Sequence, residues 1–153
     1  NRPDNLTADS VYRVVSRFTP IADSEAVAYS FWKVISPLPK PESEYESIHL
    51  DPVDIQSIWQ SGNYLNMVLQ VMVKDKEHEL SFIDNGITSN ANGTQTLHLT
   101  LYHHRKDDVE GFMQKYYLSV PLWHYEGKLN KGDTIVFELY TYKEGMTQRT
   151  FTY

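Results

Sequence analysis

The chain has 153 residues and a net charge of −6, with 41% hydrophobic and 22% charged residues. This is the composition of an ordinary globular protein, and it excludes disorder and collagen-like repeats. No apolar run approaches the ~20 residues of a membrane helix. The 14 Lys and Arg residues are scattered, which excludes a basic track for nucleic acid. Because there is no cysteine, disulfides, thiolate metal sites and cysteine nucleophiles are excluded as well.

The N-terminal quarter contains two stretches of strand-forming residues, 11–19 and 26–36. Three prolines then fall within residues 37–41. Proline fixes φ and removes a backbone donor, so this segment is predicted to be a stiff linker. It divides the chain into a short β element with its linker, residues 1–44, and a larger domain, residues 45–153.

Two strands alone are only marginally stable in water. We therefore expect residues 10–36 not to form an independent domain. Val27, Phe31 and Ile35 should contact the larger domain or a neighbouring molecule.

The first segment of the larger domain is ambiguous. The Asp-Pro pair at 51–52 could cap a helix, with Ile55, Ile58 and Trp59 at helical spacing. The same segment is compatible with a strand that places Val53, Ile55 and Trp59 on one side, and we favour the strand.

The rest of the chain alternates between apolar and polar residues, which is typical of strands with one buried face. The apolar faces comprise Leu65, Met67, Leu69, Val71, Val73; Leu97, Leu99, Leu101; Tyr116, Leu118, Val120, Leu122; and Ile135, Phe137, Leu139. Gly- and Asn-rich turns separate these runs at short spacing. The pattern predicts an all-β protein with about seven strands in residues 45–153, arranged as an antiparallel β-sandwich or a barrel.

Several motifs of this domain resemble the NigD-like family. The first is the run from Asp51 to Trp59, followed by a glycine turn and Tyr64-Leu65-Asn66. The others are listed here: His78-Glu79-Leu80-Ser81-Phe82; Leu97-His98-Leu99-Thr100-Leu101-Tyr102-His103-His104; Gly132-Asp133-Thr134; Thr150-Phe151-Thr152-Tyr153. The resemblance covers residues 45–153 well and residues 11–36 weakly.

This resemblance implies an exported protein of the cell envelope in Gram-negative anaerobes, often a lipoprotein. It also implies an OB-like barrel before the C-terminal β-sandwich, so the short β element would be the remnant of such a barrel. The lipid-anchor cysteine of the family is absent from this chain, so contact with a membrane would require an anchor that the chain lacks. The family carries no established biochemical activity.

His104, Asp107 and Asp108 form the only local cluster with ligand chemistry, since zinc accepts nitrogen and oxygen donors. Adjacent aspartates diverge in an extended segment, so we predict no bound metal and no cofactor. We instead expect His103 or His104 to hydrogen-bond an aspartate that fixes the loop, which would raise the pKa of that histidine. No Gly-x-Ser-x-Gly elbow or phosphate-binding glycine pattern is present.

Aromatic and histidine side chains on the polar strand faces are candidates for a binding surface, because such rings can stack on sugars or fill a partner's pocket. These candidates are Trp123, Tyr117, Tyr140, Tyr142, His98 and Tyr102. Cross-strand pairing that stabilises the sheet is the structural alternative.

The leading functional prediction is a non-enzymatic envelope module that binds a protein or glycan partner. The alternatives are a metal-dependent or hydrolytic enzyme that uses His104, Asp107 and Asp108, and a structural spacer.

Overall fold

The computed structural model describes residues 7–153, and residues 1–6 of the predicted N-terminal element lie outside it. The described residues form mostly strands and almost no helix, which confirms the all-β prediction. None of the helices in residues 7–153 is long and apolar enough to span a membrane. The strands are β1 (Val14–Ala22), β2 (Glu25–Lys33), β3 (Lys40–Pro41), β4 (Asp54–Ser61), β5 (Tyr64–Val73), β6 (Glu79–Ser89), β7 (Gln95–His104), β8 (Phe112–Pro121), β9 (Thr134–Thr141) and β10 (Gly145–Thr152).

Two sheets form the sandwich. One has five strands in the order β10-β9-β7-β6-β3, and the other has three in the order β4-β5-β8. Neighbouring strands are antiparallel except for β7 with β9 and β3 with β6, which are parallel. The strands from β4 to β10 match the predicted number for this domain.

The core lies between the two sheets and is formed by the predicted alternating faces. The apolar face of β5, from Leu65 to Val73, is buried, and so are the corresponding faces of β7 and β9. Polar residues between them, such as Gln70, are more exposed. Side chains of successive strand residues point to opposite sides, so this one alternation fixes the register of the sandwich.

The ambiguous segment is a strand, and β4 contains a β-bulge. Ile55 pairs with Leu69 and Ser57 pairs with Val68, so one extra residue interrupts the alternation. Beyond the bulge Ile58 packs against the core, whereas Trp59 is 43% exposed. The expectation that Trp59 shares the inner side with Val53 and Ile55 is therefore wrong, because a bulge reverses the faces that follow it.

The β1–β2 hairpin attaches to the outer side of the three-stranded sheet. The Arg13 guanidinium donates to Ser119 Oγ at 3.0 Å and to Asn66 Oδ1 at 2.9 Å, and it lies 3.7 Å from the ring centroid of Tyr64. Trp32 packs on Tyr117 with ring centroids 5.9 Å apart.

After the hairpin, Ile35 bridges to β8 at Leu118 and packs against the core, as expected. Val27 and Phe31 remain 43% and 41% exposed, so the sandwich does not bury them, and their contact with a neighbouring molecule stays a prediction. The hairpin attaches through residues near its open end, which leaves the part nearer its turn in solvent.

The chain between the linker and β4 runs over the five-stranded sheet and then enters it. Tyr45 Oη donates to the Phe82 carbonyl at 3.0 Å, which attaches this part of the chain to β6. His49 O accepts from His103 N at 3.0 Å, and Val53 N donates to Tyr140 O at 3.0 Å. Residues 49–53 thus lie between β7 and β9 beyond the point where those strands pair.

Candidate functional site

The outer face of the five-stranded sheet carries four of the predicted site residues. On β7 the side chains of His98, Tyr102 and His104 point away from the core, opposite to the buried leucines of the same strand. Tyr140 on β9 lies on the same outer face and is 42% exposed. The crossing segment, residues 42–50, divides this face into two hollows.

The first hollow is polar and has a volume of about 420 Å³. Its lining includes Lys40, Glu79, Ser81, Tyr102, His104 and Lys106. Tyr45 stacks on Tyr102 with ring centroids 4.6 Å apart, and His49 stacks on His104 at 3.6 Å. Burial raises the pKa of Tyr45 and of Tyr102, so both hydroxyls stay protonated at neutral pH. Because these rings cover each other's faces, little aromatic surface remains for a ligand in this hollow.

The second hollow, which we call the groove, has a volume of about 520 Å³. Ile48 and Leu50 from the crossing segment and Met146 from β10 contribute apolar walls. Glu42 and Glu138 also line it, whereas no lysine or arginine of residues 7–153 does. The groove is therefore an open, partly apolar and acidic surface, with features of a contact site for another molecule.

The groove has an ordered polar base. His98 Nε2 and Thr88 Oγ1 are 2.9 Å apart, and Asn85 Nδ2 donates to Thr100 Oγ1 at 2.7 Å. Because these groups are already hydrogen-bonded, the base has a fixed shape and needs no rearrangement to receive a partner. His98 therefore lines the groove, and its contact with Thr88 holds its side chain in place.

Three other predicted residues lie elsewhere. Tyr117 is on β8, under the hairpin. Tyr142 accepts a hydrogen bond from Met72 N at 3.0 Å and is part of the sandwich structure. Trp123 lies on a short 3-10 helix, Leu122–Tyr125, and is exposed. The six predicted binding residues therefore do not form one surface.

The predicted His104, Asp107 and Asp108 cluster does not assemble. His104 stacks on His49 at the outer face, whereas Asp108 is buried and accepts hydrogen bonds from Lys74 N at 2.7 Å and Asp75 N at 3.1 Å. Within residues 7–153 no three His, Cys, Asp or Glu side chains are placed to hold a metal ion. The geometry therefore gives no support to an enzyme built on this cluster.

Asp108 instead belongs to a buried chain of hydrogen bonds. His78 Nε2 lies 3.3 Å from Asp108 Oδ2, and His78 Nδ1 lies 2.9 Å from His103 Nε2. His103 Nδ1 lies 2.9 Å from the Asp51 carbonyl oxygen, which can only accept. This network joins the loops that follow β5 and β7 to the inserted segment at 49–53.

All four ring nitrogens of His78 and His103 take part in the network. One nitrogen faces the Asp51 carbonyl, two face each other between the rings, and one faces Asp108. Burial lowers the pKa of His103, which favours the neutral form of its ring. The side chains of His78 and Asp108 are only 1% and 2% exposed, so the contact between them is buried.

Burial alone would raise the pKa of Asp108. The backbone N–H groups of Lys74, Asp75 and Lys76, together with His78, nevertheless hold it well below the usual range for aspartate. The expectation that His103 or His104 binds an aspartate carboxylate is wrong, because His78 fills that role. The expected rise in the pKa of His103 is also wrong, because His103 contacts a backbone carbonyl and is buried.

Comparison with known proteins identifies the family. The family model described as "NigD-like C-terminal beta sandwich domain" matches residues 36–153. The crystal structure of a NigD-like immunity protein from Bacteroides caccae ATCC 43185 is similar, with 32% sequence identity and a TM-score of 0.76. The similarity covers 93% of this chain and 76% of that one. The chain belongs to the NigD-like family.

Two further structures share the NigD-like fold at lower identity. A putative toxin-related protein from Parabacteroides distasonis ATCC 8503 has 19% identity and a TM-score of 0.68, covering 93% of this chain and 72% of its own. A protein of unknown function from Bacteroides vulgatus ATCC 8482 has 17% identity and a TM-score of 0.67, covering 90% and 68%. No curated protein matches the chain.

The sequence reasoning missed Tyr45, Ile48 and Met146 as residues of the outer face, and His78 as a member of the buried network. Ile48 and Leu50 alternate directly before the Asp-Pro pair, a signal for an additional short extended segment. No local signal places His78 beside Asp108, because the contact joins two different loops.

Proposed function

We propose that this NigD-like protein is a non-enzymatic module of the cell envelope that binds a protein partner through the outer face of its five-stranded sheet. The observation that carries this proposal is the 32% identity, over 93% of this chain, to a protein described as an immunity protein. We propose a protective role of the same kind here. The family resemblance supports the envelope location.

The geometry supports binding rather than catalysis. In residues 7–153, the groups with acid–base chemistry in the His78 network are buried and bonded to each other. A catalytic acid or base must reach its substrate, and these groups do not. The groove, by contrast, combines exposed apolar walls with two carboxylates.

A protein partner fits this surface better than a glycan. Sugars bind proteins largely by stacking on free aromatic faces, and among residues 7–153 no Tyr, Trp or Phe lines the groove. Ile48 and Met146 instead offer exposed aliphatic and thioether surface next to polar groups, a combination common in protein interfaces.

Site-specific photo-crosslinking in the native host tests the proposal. The crosslinker p-benzoylphenylalanine is placed at Ile48 or Tyr140 on the outer face, and at Lys115 on the other sheet as the control. We expect both outer-face positions to crosslink one and the same envelope protein and Lys115 to crosslink none. Crosslinks that arise equally from Lys115, or none from Ile48 and Tyr140, would contradict the proposal.

A further inference from the structure

The hollows of this protein that carboxylates line differ in how their charges are balanced. The first hollow of the outer face has both signs of charge in its lining: Glu44, Glu46, Glu79, Lys40 and Lys106. Lys106 Nζ there lies 4.0 Å from Glu79 Oε2. A third hollow, beside the turn between β9 and β10, also combines both signs: Asp54, Glu144, Lys143 and Arg149. The groove differs from both, because Glu42 and Glu138 line it and no lysine or arginine of residues 7–153 does.

Glu138 is the carboxylate at the base of the groove. It lies on β9 between Thr100 of β7 and Gln148 of β10, and the residue is partly buried. Within the described part of the chain, its side chain accepts one hydrogen bond, from Thr100 Oγ1 at 3.5 Å, which is long for a hydrogen bond between oxygens.

Neither carboxylate of the groove has a cationic partner among residues 7–153, since Glu42 and Glu138 form no ion pair there. Taking a carboxylate out of water costs free energy, and a nearby positive charge offsets part of this cost. A partly buried carboxylate without a cation is therefore a favourable position for a basic group of another molecule.

The walls of the groove indicate which kind of cation fits. Ile48, Leu50 and Met146 present apolar surface beside the two carboxylates. Lysine and arginine side chains lay an apolar stem along such surface while the charged end reaches a polar group. A quaternary ammonium ligand usually binds in a cage of aromatic rings, and no Tyr, Trp or Phe that the structure describes lines the groove.

A metal ion fits the groove less well than a basic side chain. Calcium takes about six to eight oxygen ligands. Over residues 7–153, no three His, Cys, Asp or Glu side chains are placed to hold an ion. The apolar walls would also leave most coordination positions of an ion without a protein ligand.

We infer that the groove receives a lysine or arginine side chain of the protein partner. Its charged end lies beside Glu138 and Glu42, and an apolar neighbour of the same partner segment packs against Ile48 and Met146. The net charge of −6 attracts a cationic partner and repels a second copy of this chain. This inference rests on the proposed function, because it names the chemistry of the partner that binds the same face.

Peptide binding to the intact protein tests the inference. The probe is the acetylated and amidated peptide Gly-Leu-Lys-Leu-Gly. One control has norleucine in place of Lys, which keeps the apolar stem without the charge, and a second has Glu. Chemical shifts of amide and methyl groups in two-dimensional NMR report both affinity and location. We expect shifts at Ile48, Thr100 and Met146, and binding of the Lys peptide roughly fivefold tighter than that of the norleucine peptide, the scale of one exposed ion pair.

Variants of the protein test the role of the carboxylate. Glu138→Gln keeps an oxygen that can accept from Thr100 and removes the charge, so it should weaken binding of the Lys peptide roughly fivefold and leave the norleucine peptide unaffected. Glu138→Lys should reverse the preference, so that the Glu peptide binds more tightly than the Lys peptide. Glu25→Gln removes a carboxylate in the β1–β2 hairpin and should change neither affinity. The NMR spectrum of each variant shows whether its fold is intact.

Three results would overturn the inference: no shifts in the groove, equal affinity for the Lys and norleucine peptides, or a preference for Lys that Glu138→Gln leaves unchanged. Propylammonium ion provides a further arm. If it causes the same shifts at the same concentration as the Lys peptide, the groove is a site for small amines and the inference is again overturned. These measurements need no host protein, so a negative result here together with crosslinks from Ile48 and Tyr140 would remove the basic side chain and leave the proposed function in place.

Discussion

The buried network of His78, His103 and Asp108 predicts how stability depends on pH. Burial lowers the pKa of His103 below its ordinary value of 6.5. Between that lowered pKa and 6.5, the unfolded chain binds a proton at this residue that the folded protein does not bind. As far as His103 determines it, the free energy of unfolding should therefore be highest above pH 6.5. It should fall as the pH decreases from 6.5 towards the folded-state pKa of His103.

The uptake of a single proton by His103 limits how strongly the free energy of unfolding can depend on pH. One proton taken up on unfolding gives a slope of at most about 1.4 kcal/mol per pH unit. Between pH 6.5 and 5 the contribution of His103 is therefore at most about 2 kcal/mol. Asp108 has a lowered pKa and contributes in a separate window, because its stabilisation is lost only as the pH falls below about 3.9, the ordinary value of an aspartate.

Urea unfolding at several pH values between 5 and 7.5 measures this slope. In His103→Gln, the glutamine amide can donate to the Asp51 carbonyl and accept from His78, but it does not titrate. We expect the variant to be less stable at pH 7.5. Between pH 5 and 6.5, the slope of its free energy of unfolding against pH should be smaller, by at most the amount that one proton contributes. His98→Gln removes a histidine from the outer face and should keep the slope. An unchanged slope in His103→Gln would refute the assignment of a buried neutral ring.

Three further predictions concern the core, the hairpin and metal binding. Leu69→Ala should lower the free energy of unfolding by roughly 2–5 kcal/mol, because Leu69 is fully buried, whereas Gln70→Ala should change it little; equal effects in urea unfolding would mean that the strand faces are wrongly assigned. A peptide of residues 10–36 should be unfolded by NMR, since its attachment points are on the sandwich, and dispersed amide signals would disprove this. Calorimetry should detect no micromolar zinc binding, and a stoichiometric site lost in His104→Ala would support the enzyme alternative.

The sandwich was largely predictable because its signal is local. Alternation along β5, β7 and β9 shows which residues are buried, and each strand contains that information within itself. The bulge in β4 was not predictable in this way. It depends on the pairing of Ile55 and Ser57 with a neighbouring strand, and the exposure of Trp59 follows from it.

The site was predictable only in part. Alternation along β7 placed His98, Tyr102 and His104 on one face, as the structure does. The crossing segment that forms the groove wall and the loop that brings His78 to Asp108 depend on contacts between distant parts of the chain. Composition and spacing carry no information on such contacts, so the sequence could offer only His104, Asp107 and Asp108 as a local cluster with ligand chemistry, and these side chains do not come together.

The most direct test of binding through the five-stranded sheet is hydrogen–deuterium exchange of this protein with and without the partner that the crosslinks identify. The account predicts slower exchange in β9, β10 and residues 42–50 when the partner is bound, and unchanged exchange in β5 and β8. Slower exchange confined to the three-stranded sheet or to the β1–β2 hairpin would contradict it.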